Sequence, residues 1–415
     1  MHAENLPPQT FRRVRPKYQV VKQRPVKVRR RVKTKNLKST LLQLKYQNIL
    51  ILIAVLMTAS WVITLPFRIR PTSETIPAAP QTKVSPTLVP PYVPPAPQQP
   101  LEDLGFAYNV RRRPILGFNP QLQEIVDEMV NIAEEKGLPT EALSISLIDV
   151  SNQNNHTFGG FKQQVLRYPA SVAKLFWMAA FYGAVEQGLI AQEKESNFHQ
   201  DLRQMMQRSN NDSASKIIDA ITDTKSGRKL EGKKLETWLK KRKSVNEFFQ
   251  KANYQGLRVN TKNYPLYAPS QNGPVGRDRQ LRDESDKLLR NLISSDQAAR
   301  LMYEIYTRQA VSRKYSTRMA YLLTRDLKPE AWQNDPTNGV KGFLGESLPS
   351  NIYFGSKIGY TQNHRLDVAF VRTLDDKAIY ILAVFGDDAA YAKDEEIFPE
   401  LSRHVYDRMI ALSRK

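Results

Sequence analysis

The most apolar stretch of the chain, YQNILILIAVLMTASWVITLPF at 46–67, has no charge and no polar face. About 20 such residues cross the hydrocarbon layer of a bilayer as a helix, so the pattern predicts a transmembrane segment at 47–67. The pattern then breaks. Residues 71–100 hold ten prolines, among them the run VPPYVPPAPQQP. Proline lacks an N–H and fixes φ, so this stretch builds neither helix nor sheet ladder. At about 3.1 Å per residue it reaches up to roughly 90 Å as an extended tether. The predicted organisation is a tail at 1–46, a span at 47–67, a proline-rich linker at 68–114 and a globular domain at 115–415.

Within the domain the periods alternate. QLQEIVDEMVNIAEEKG (121–137) repeats apolar residues at helical spacing and stops at Gly137. ALSISLIDV (142–150) alternates as a strand does, and 156–161 predicts a second strand. In the helix that follows, Val172, Leu175, Phe176, Ala179 and Tyr182 share one face, and Gly188 closes it. Residues 200–221 and 295–308 predict further helices. YFGSKIGY, LDVAFVRTL and AIYILAVFG then predict three strands, and Ile397, Leu401, Val405 and Met409 recur every four residues in a final helix. Strands stand at both ends of the domain, with helices between and outside them. The expected class is α/β of the α+β type: one antiparallel sheet built from distant segments, flanked by helices, with an all-helical subdomain.

Charge changes this picture at the N-terminus. Residues 1–46 carry 14 Lys or Arg and one acid, Glu4, so they hold +13 of the chain's +21. The high pI belongs mainly to a tail, and no nucleic-acid partner is read from it. Basic residues before the apolar run and few after it place the tail in the cytoplasm and the domain outside, in the periplasm of a cell with an outer membrane. The tail serves as a topology signal, with anionic lipid or a cytoplasmic partner as alternatives. The chain has no cysteine, which excludes disulfides, a thiol nucleophile and thiolate metal sites. The five histidines show no metal spacing, so neither metal nor cofactor is expected.

One short stretch carries candidate chemistry. RYPASVAKLF (167–176) sets Ser171 and Lys174 three residues apart at the mouth of an apolar helix, where i and i+3 share a face. Burial lowers the pKa of a lysine, and a neutral amine beside a hydroxyl takes its proton and makes it a nucleophile. The helix N-terminus adds N–H donors for an oxyanion. The same spacing occurs at Ser213/Lys216 and Ser226/Lys229. The last of these lies in KSGRKLEGKK, a basic stretch expected to be solvated.

Downstream, QRSNND places Ser209 and Asn211 after an apolar helical run, and GSKIGYT places Lys357 and Gly359 on a strand. With S-V-A-K, S-N-N and K-I-G in this order, the chain resembles the penicillin-recognising serine hydrolases, and most of all the class A β-lactamase-like branch, over roughly 115–415. The resemblance implies a β-lactamase/transpeptidase-like fold. It implies Ser171 as the acylated nucleophile and Lys174 as its base or proton relay. Ser209 would pass a proton to the leaving nitrogen, and Asn211 would bind a substrate amide. Lys357 would hold Ser209 and attract a substrate carboxylate, and Gly359 would let substrate lie along the strand. The N–H groups of Ser171 and Tyr360 would form an oxyanion hole. Thr361 is a nearby hydroxyl and Arg365 a candidate for a substrate carboxylate, or a surface residue; His364 is read as a turn residue.

Three departures stand out. Ile358 replaces the hydroxyl of the family's K-[ST]-G. A charged insert at about 223–243 follows a shortened stretch between Ser171 and Ser209. Tyr264 stands before Pro265 where the family's deacylating Glu is expected, and Glu284, the nearest acid, is read as solvated. The expected activity is a membrane-anchored serine hydrolase acylated by a β-lactam. The alternatives are a D-Ala-D-Ala peptidase or esterase acting on cell-wall peptides, and an inert binding domain.

Overall fold

The computed structural model describes residues 90–94, 113–268, 270–283, 290–335 and 337–414. These belong to one compact unit, Lys83–Lys415. The predicted tail, the span at 47–67, most of the linker and Glu284 lie outside the described residues. Among those described, no helix is long and apolar enough to cross a membrane.

The first elements follow from local chemistry. Strand β1 (Gly117–Phe118) leads into helix α1 (Pro120–Glu135). The side chain of Asn119 caps α1 by accepting the N–H of Gln121 at 2.8 Å, and Pro120 sits where a missing N–H costs nothing. Leu122, Ile125, Val126, Met129 and Ala133 form its buried stripe. The helix ends as expected at Gly137, whose φ of +71 is open to glycine. Strands β2 (Leu143–Asp149) and β3 (Thr157–Phe161) follow, and near the C-terminus β4 (Tyr353–Thr361), β5 (His364–Arg372) and β6 (Ile379–Gly386).

These strands form a six-stranded sheet in the order β1-β3-β2-β6-β5-β4. It is antiparallel except at its edge, where the two-residue β1 pairs parallel with β3, a strand too short for the alternation to reveal. The sheet is buried on both faces, and the period-two alternation sorts its side chains. Tyr380, Leu382 and Val384 of β6 join the core beneath α1 and the C-terminal helix. Ile381, Ala383 and Phe385 join the core beneath the helical body.

The helical body departs from expectation in three places. Helix α2 (Ala173–Glu186) is not amphipathic: every residue from Ala173 to Val185 is buried, Lys174 included. It is the central helix of the domain and has no solvent face. The helix expected over 200–221 is two helices, α3 (His199–Gln207) and α4 (Asn211–Thr222), broken at Ser209, whose φ of 54 is left-handed. Most of the charged insert is helix α5 (Gly232–Lys251), which buries Trp238, Arg242, Val245 and Phe249 at three- and four-residue spacing. The Arg242 guanidinium lies 2.6 Å from Asp219 of α4 and 3.7 Å from Asp278 of α6 (Gly276–Arg282). The stretch Lys225–Lys229 is exposed as predicted. Helices α7 (Ser295–Tyr306), α8 (Arg313–Leu323), α9 (Pro329–Trp332), α10 (Ala389–Lys393) and α11 (Ile397–Leu412) complete the domain.

The proline-rich linker is not spacer throughout. Val93 is buried in the main core, and its N–H donates to Tyr306 O at 3.2 Å. Arg308 donates to the carbonyls of Pro90 at 3.0 Å and Pro91 at 2.9 Å. Proline keeps its carbonyl as an acceptor, so a chain that cannot join a sheet still docks through it. Burying Val93 and satisfying the buried Arg308 contribute about 2–3 kcal/mol. A domain beginning at residue 95 is therefore expected to melt about 5 °C below one beginning at residue 83, as measured by calorimetry.

Candidate active site

Ser171 lies in a 3₁₀ turn, Ala170–Val172, that runs into α2. Ala170 before it has a φ of 45, a costly conformation for a residue with a Cβ and one that clusters at functional sites. Its carbonyl accepts the side-chain amide of Asn263 at 2.9 Å, which holds the turn from the opposite wall.

Lys174, one helical turn on, is wholly buried. Its Nζ is 2.9 Å from Ser171 Oγ, 2.6 Å from Asn211 Oδ1, and 2.5 and 3.3 Å from Ser209 O and Oγ. None of these is a carboxylate, so burial is uncompensated and pulls the amine down to about 7. A neutral amine has two hydrogens and a lone pair. The hydrogens satisfy Asn211 Oδ1 and Ser209 O, and the lone pair is left for the proton of Ser171.

Ser209 Oγ also accepts from Lys357 Nζ at 3.0 Å, and that amine donates to Ile358 O at 2.8 Å. Lys357 is wholly buried, and burial, then the charges of Lys174 and Arg325, hold it well below the usual lysine range. Arg325 organises the rear of this network. It donates to Met206 O and Gln207 O, both at 2.7 Å, just before Ser209, and to Ser356 O at 3.4 Å, just before Lys357.

Strand β4 is the last strand of the sheet, and the Ser171 turn closes on its outer edge. A Cβ on Gly359 would stand 2.6 Å from Pro169 O and 3.2 Å from Ser171 N. Gly359 thus makes room for the Ser171 turn, whereas the sequence reading gave that room to substrate. Phe354 and Ser356 turn their carbonyls outward, toward Arg325. At the two-residue period of an antiparallel strand, Tyr360 turns its N–H outward as well, on the side where the Ser171 turn lies.

The structure therefore brings together Ser171, Lys174, Ser209, Asn211 and Lys357, with Tyr360 and Thr361 on the rim of a cavity of about 220 Å³. It does not bring in Arg365. That side chain is buried, and its guanidinium donates to Tyr391 O at 3.0 Å, Ala392 O at 2.9 Å and Gly342 O at 2.5 Å. An arginine at the start of β5 serves to fasten α10 and the Gly342 loop. Ser213 is likewise committed, donating to Asp201 at 2.8 Å, and Ser226 accepts from Lys262 at 2.8 Å. Sequence reasoning missed Asn263 and Tyr168, which also line the cavity; both enter from loops, and no periodicity marks them. A cleft of about 680 Å³ at Arg208 and Trp332 is larger but has no nucleophile beside a base.

The model of the beta-lactamase enzyme family matches residues 122–409. The chain belongs to the beta-lactamase enzyme family. Two solved structures illustrate its likeness. The β-lactamase from Sphaerobacter thermophilus is 17% identical, with a TM-score of 0.45, covering 69% of this chain and 97% of its own. A class A β-lactamase from Bacteroides cellulosilyticus is 15% identical, with a TM-score of 0.47, covering 71% and 99%. No curated protein matches the chain.

In this β-lactamase-family domain, burial that pulls the Lys174 amine down to about 7 makes it mostly neutral above that pH and mostly protonated below it. Reaction of Ser171 with a fluorophosphonate is expected to be about tenfold slower at pH 6 than at pH 8, with a midpoint near 7. A flat profile would remove Lys174 from the role of base.

Proposed function

We propose that this domain is a serine acyl hydrolase, acylated on Ser171 by β-lactams, tethered to the cytoplasmic membrane and working outside the cytoplasm. The observation that carries the reading is the 2.9 Å contact between Ser171 Oγ and a wholly buried Lys174 amine that has no carboxylate partner. Lys174 takes the proton of Ser171 as Oγ attacks the acyl carbon. The N–H groups of Ser171 and Tyr360 receive the oxyanion. Ser209 Oγ, between the two amines, relays the proton to the leaving nitrogen, and Asn211 holds the substrate amide. An inert binding domain would have no use for this network.

Release of the acyl group needs an activated water. Among the described residues no carboxylate lines the cavity. Tyr264, at the expected place of the base, is a phenol that burial and then Asp278 push above its ordinary range, so it is a poor base at pH 7. Slow release favours a second reading, a peptidase or esterase of cell-wall substrates, over an efficient resistance enzyme.

General-base assistance is worth about 10²–10⁴-fold, and the penicillin adduct is expected to persist for minutes or longer, followed by intact mass. Ser171→Ala should abolish the adduct and Ser213→Ala should keep it; rapid turnover would point to a base outside the cavity described. The tether rests on the uncharged run at 46–67 and the +13 before it. A reporter fused after residue 100 should be active only if it requires export; activity of a cytoplasm-only reporter there would reverse the topology.

A further inference from the structure

Among the described residues, no cationic side chain lines the cavity. Lys357 is wholly buried and donates to Ser209 Oγ and Ile358 O, at 3.0 and 2.8 Å. Arg365 is fastened to three backbone carbonyls away from the cavity. Thr361 lines the cavity, but its hydroxyl lies 2.6 Å from His364 Nδ1. His364 Nε2 is in turn 2.9 Å from Asp387 Oδ1. The Thr361 hydroxyl also accepts the N–H of Asn363 at 3.2 Å.

What faces the substrate instead is uncharged. Ile358, between Lys357 and Gly359, lines the cavity half-buried, braced at its back by Gly339, whose Cβ would meet it at 3.5 Å. Tyr168, Tyr264, Tyr360 and the amides of Asn211 and Asn263 supply most of the remaining wall. Arg282 and Arg290 each stand 5.8 Å from a ring centre, of Tyr264 and Tyr168 respectively, and neither lines the cavity. A carboxylate placed here would lose water without gaining an ion pair. A neutral group would gain apolar contact with Ile358.

We infer that the preferred acyl donor is a neutral ester or amide with no carboxylate beside the scissile bond, its apolar flank lying on Ile358. This rests on Ser171 as the nucleophile. Ser171 Oγ forms the new C–O bond and its proton passes to Lys174. The ester C–O or amide C–N bond breaks, and the leaving oxygen or nitrogen takes that proton through Ser209. Water later adds to the acyl carbon, returns a proton to Ser171 Oγ and releases the acid.

The test compares benzylpenicillin with its methyl ester, which differ by one charge, by the rate at which the intact domain gains each adduct at pH 8. The methyl ester is expected to react at least as fast as the acid. Ile358→Thr should speed the acid about tenfold, the scale of one hydrogen bond to an anion, and leave the ester within about twofold. Ile358→Val, which keeps the apolar wall, should not change the ratio. An acid that outpaces the ester tenfold in the wild-type domain would overturn the inference, as would an unchanged ratio in a folded Ile358→Thr. Fluorophosphonate labelling separates the two claims. A labelled Ser171 with a faster acid removes only the substrate preference, whereas an unlabelled Ser171 removes the nucleophile and the preference with it.

Discussion

The fold puts an amine where water cannot reach it and gives it no acid. Lys174 is the only charged type of residue between Ala173 and Val185, in a helix with no solvent face. A buried lysine paired with a carboxylate would remain an ammonium and hold its protons. Here its neighbours are two hydroxyls, a carbonyl and an amide oxygen. The desolvation is left uncompensated and pulls the amine down to about 7. That cost is borne by the core around it, with Phe176, Trp177 and Phe181 wholly buried on the same helix. The lowered basicity of Lys174 and the stability of the domain thus draw on the same packing.

Three distant segments must meet around that amine, and each meets it through a backbone device. Ala170 and Ser209 take left-handed conformations, with φ of 45 and 54, that turn Ser171 and the Ser209 carbonyl toward Lys174. Gly359 lets strand and turn approach within contact distance. Arg325 ties the end of α3 to the start of the Lys357 segment by four carbonyls, those of Met206, Gln207, Asn338 and Ser356. A single buried guanidinium therefore sets the spacing between Ser209 and Lys357.

Much of this was legible in the sequence, because it depended on local pattern. Gly137 ends α1, β2 and β4–β6 lie where the alternation put them, and the spacing from Ser171 to Lys174 put the pair on one helical turn. What was hidden depended on tertiary contact. Arg365 looks like a free cation at the start of a strand, and only the fold shows that three carbonyls take it. Arg242 lies in the charged insert, where residue type names no partner, yet it is wholly buried against Asp219. Val93 sits among prolines that argue for a free tether, and no periodicity announces that Arg308 gathers the carbonyls beside it. Asn263 and Tyr168 lie in loops, where residue type alone does not say which way a side chain turns.

The meeting of β4 with the Ser171 turn has a further consequence. A nine-residue edge strand presents unpaired amides and carbonyls, a template for joining the sheet of a neighbouring molecule. In this domain that edge is occupied: the Ser171 turn presses on Gly359, and Thr324 and Arg325 bridge to the strand at Gly355 and Phe354. The Ser171 turn thus also covers part of an edge that could otherwise add a strand. Loosening that turn would uncover strand edge as well as move Ser171, so the geometry around Ser171 and the cover of the sheet edge are one feature.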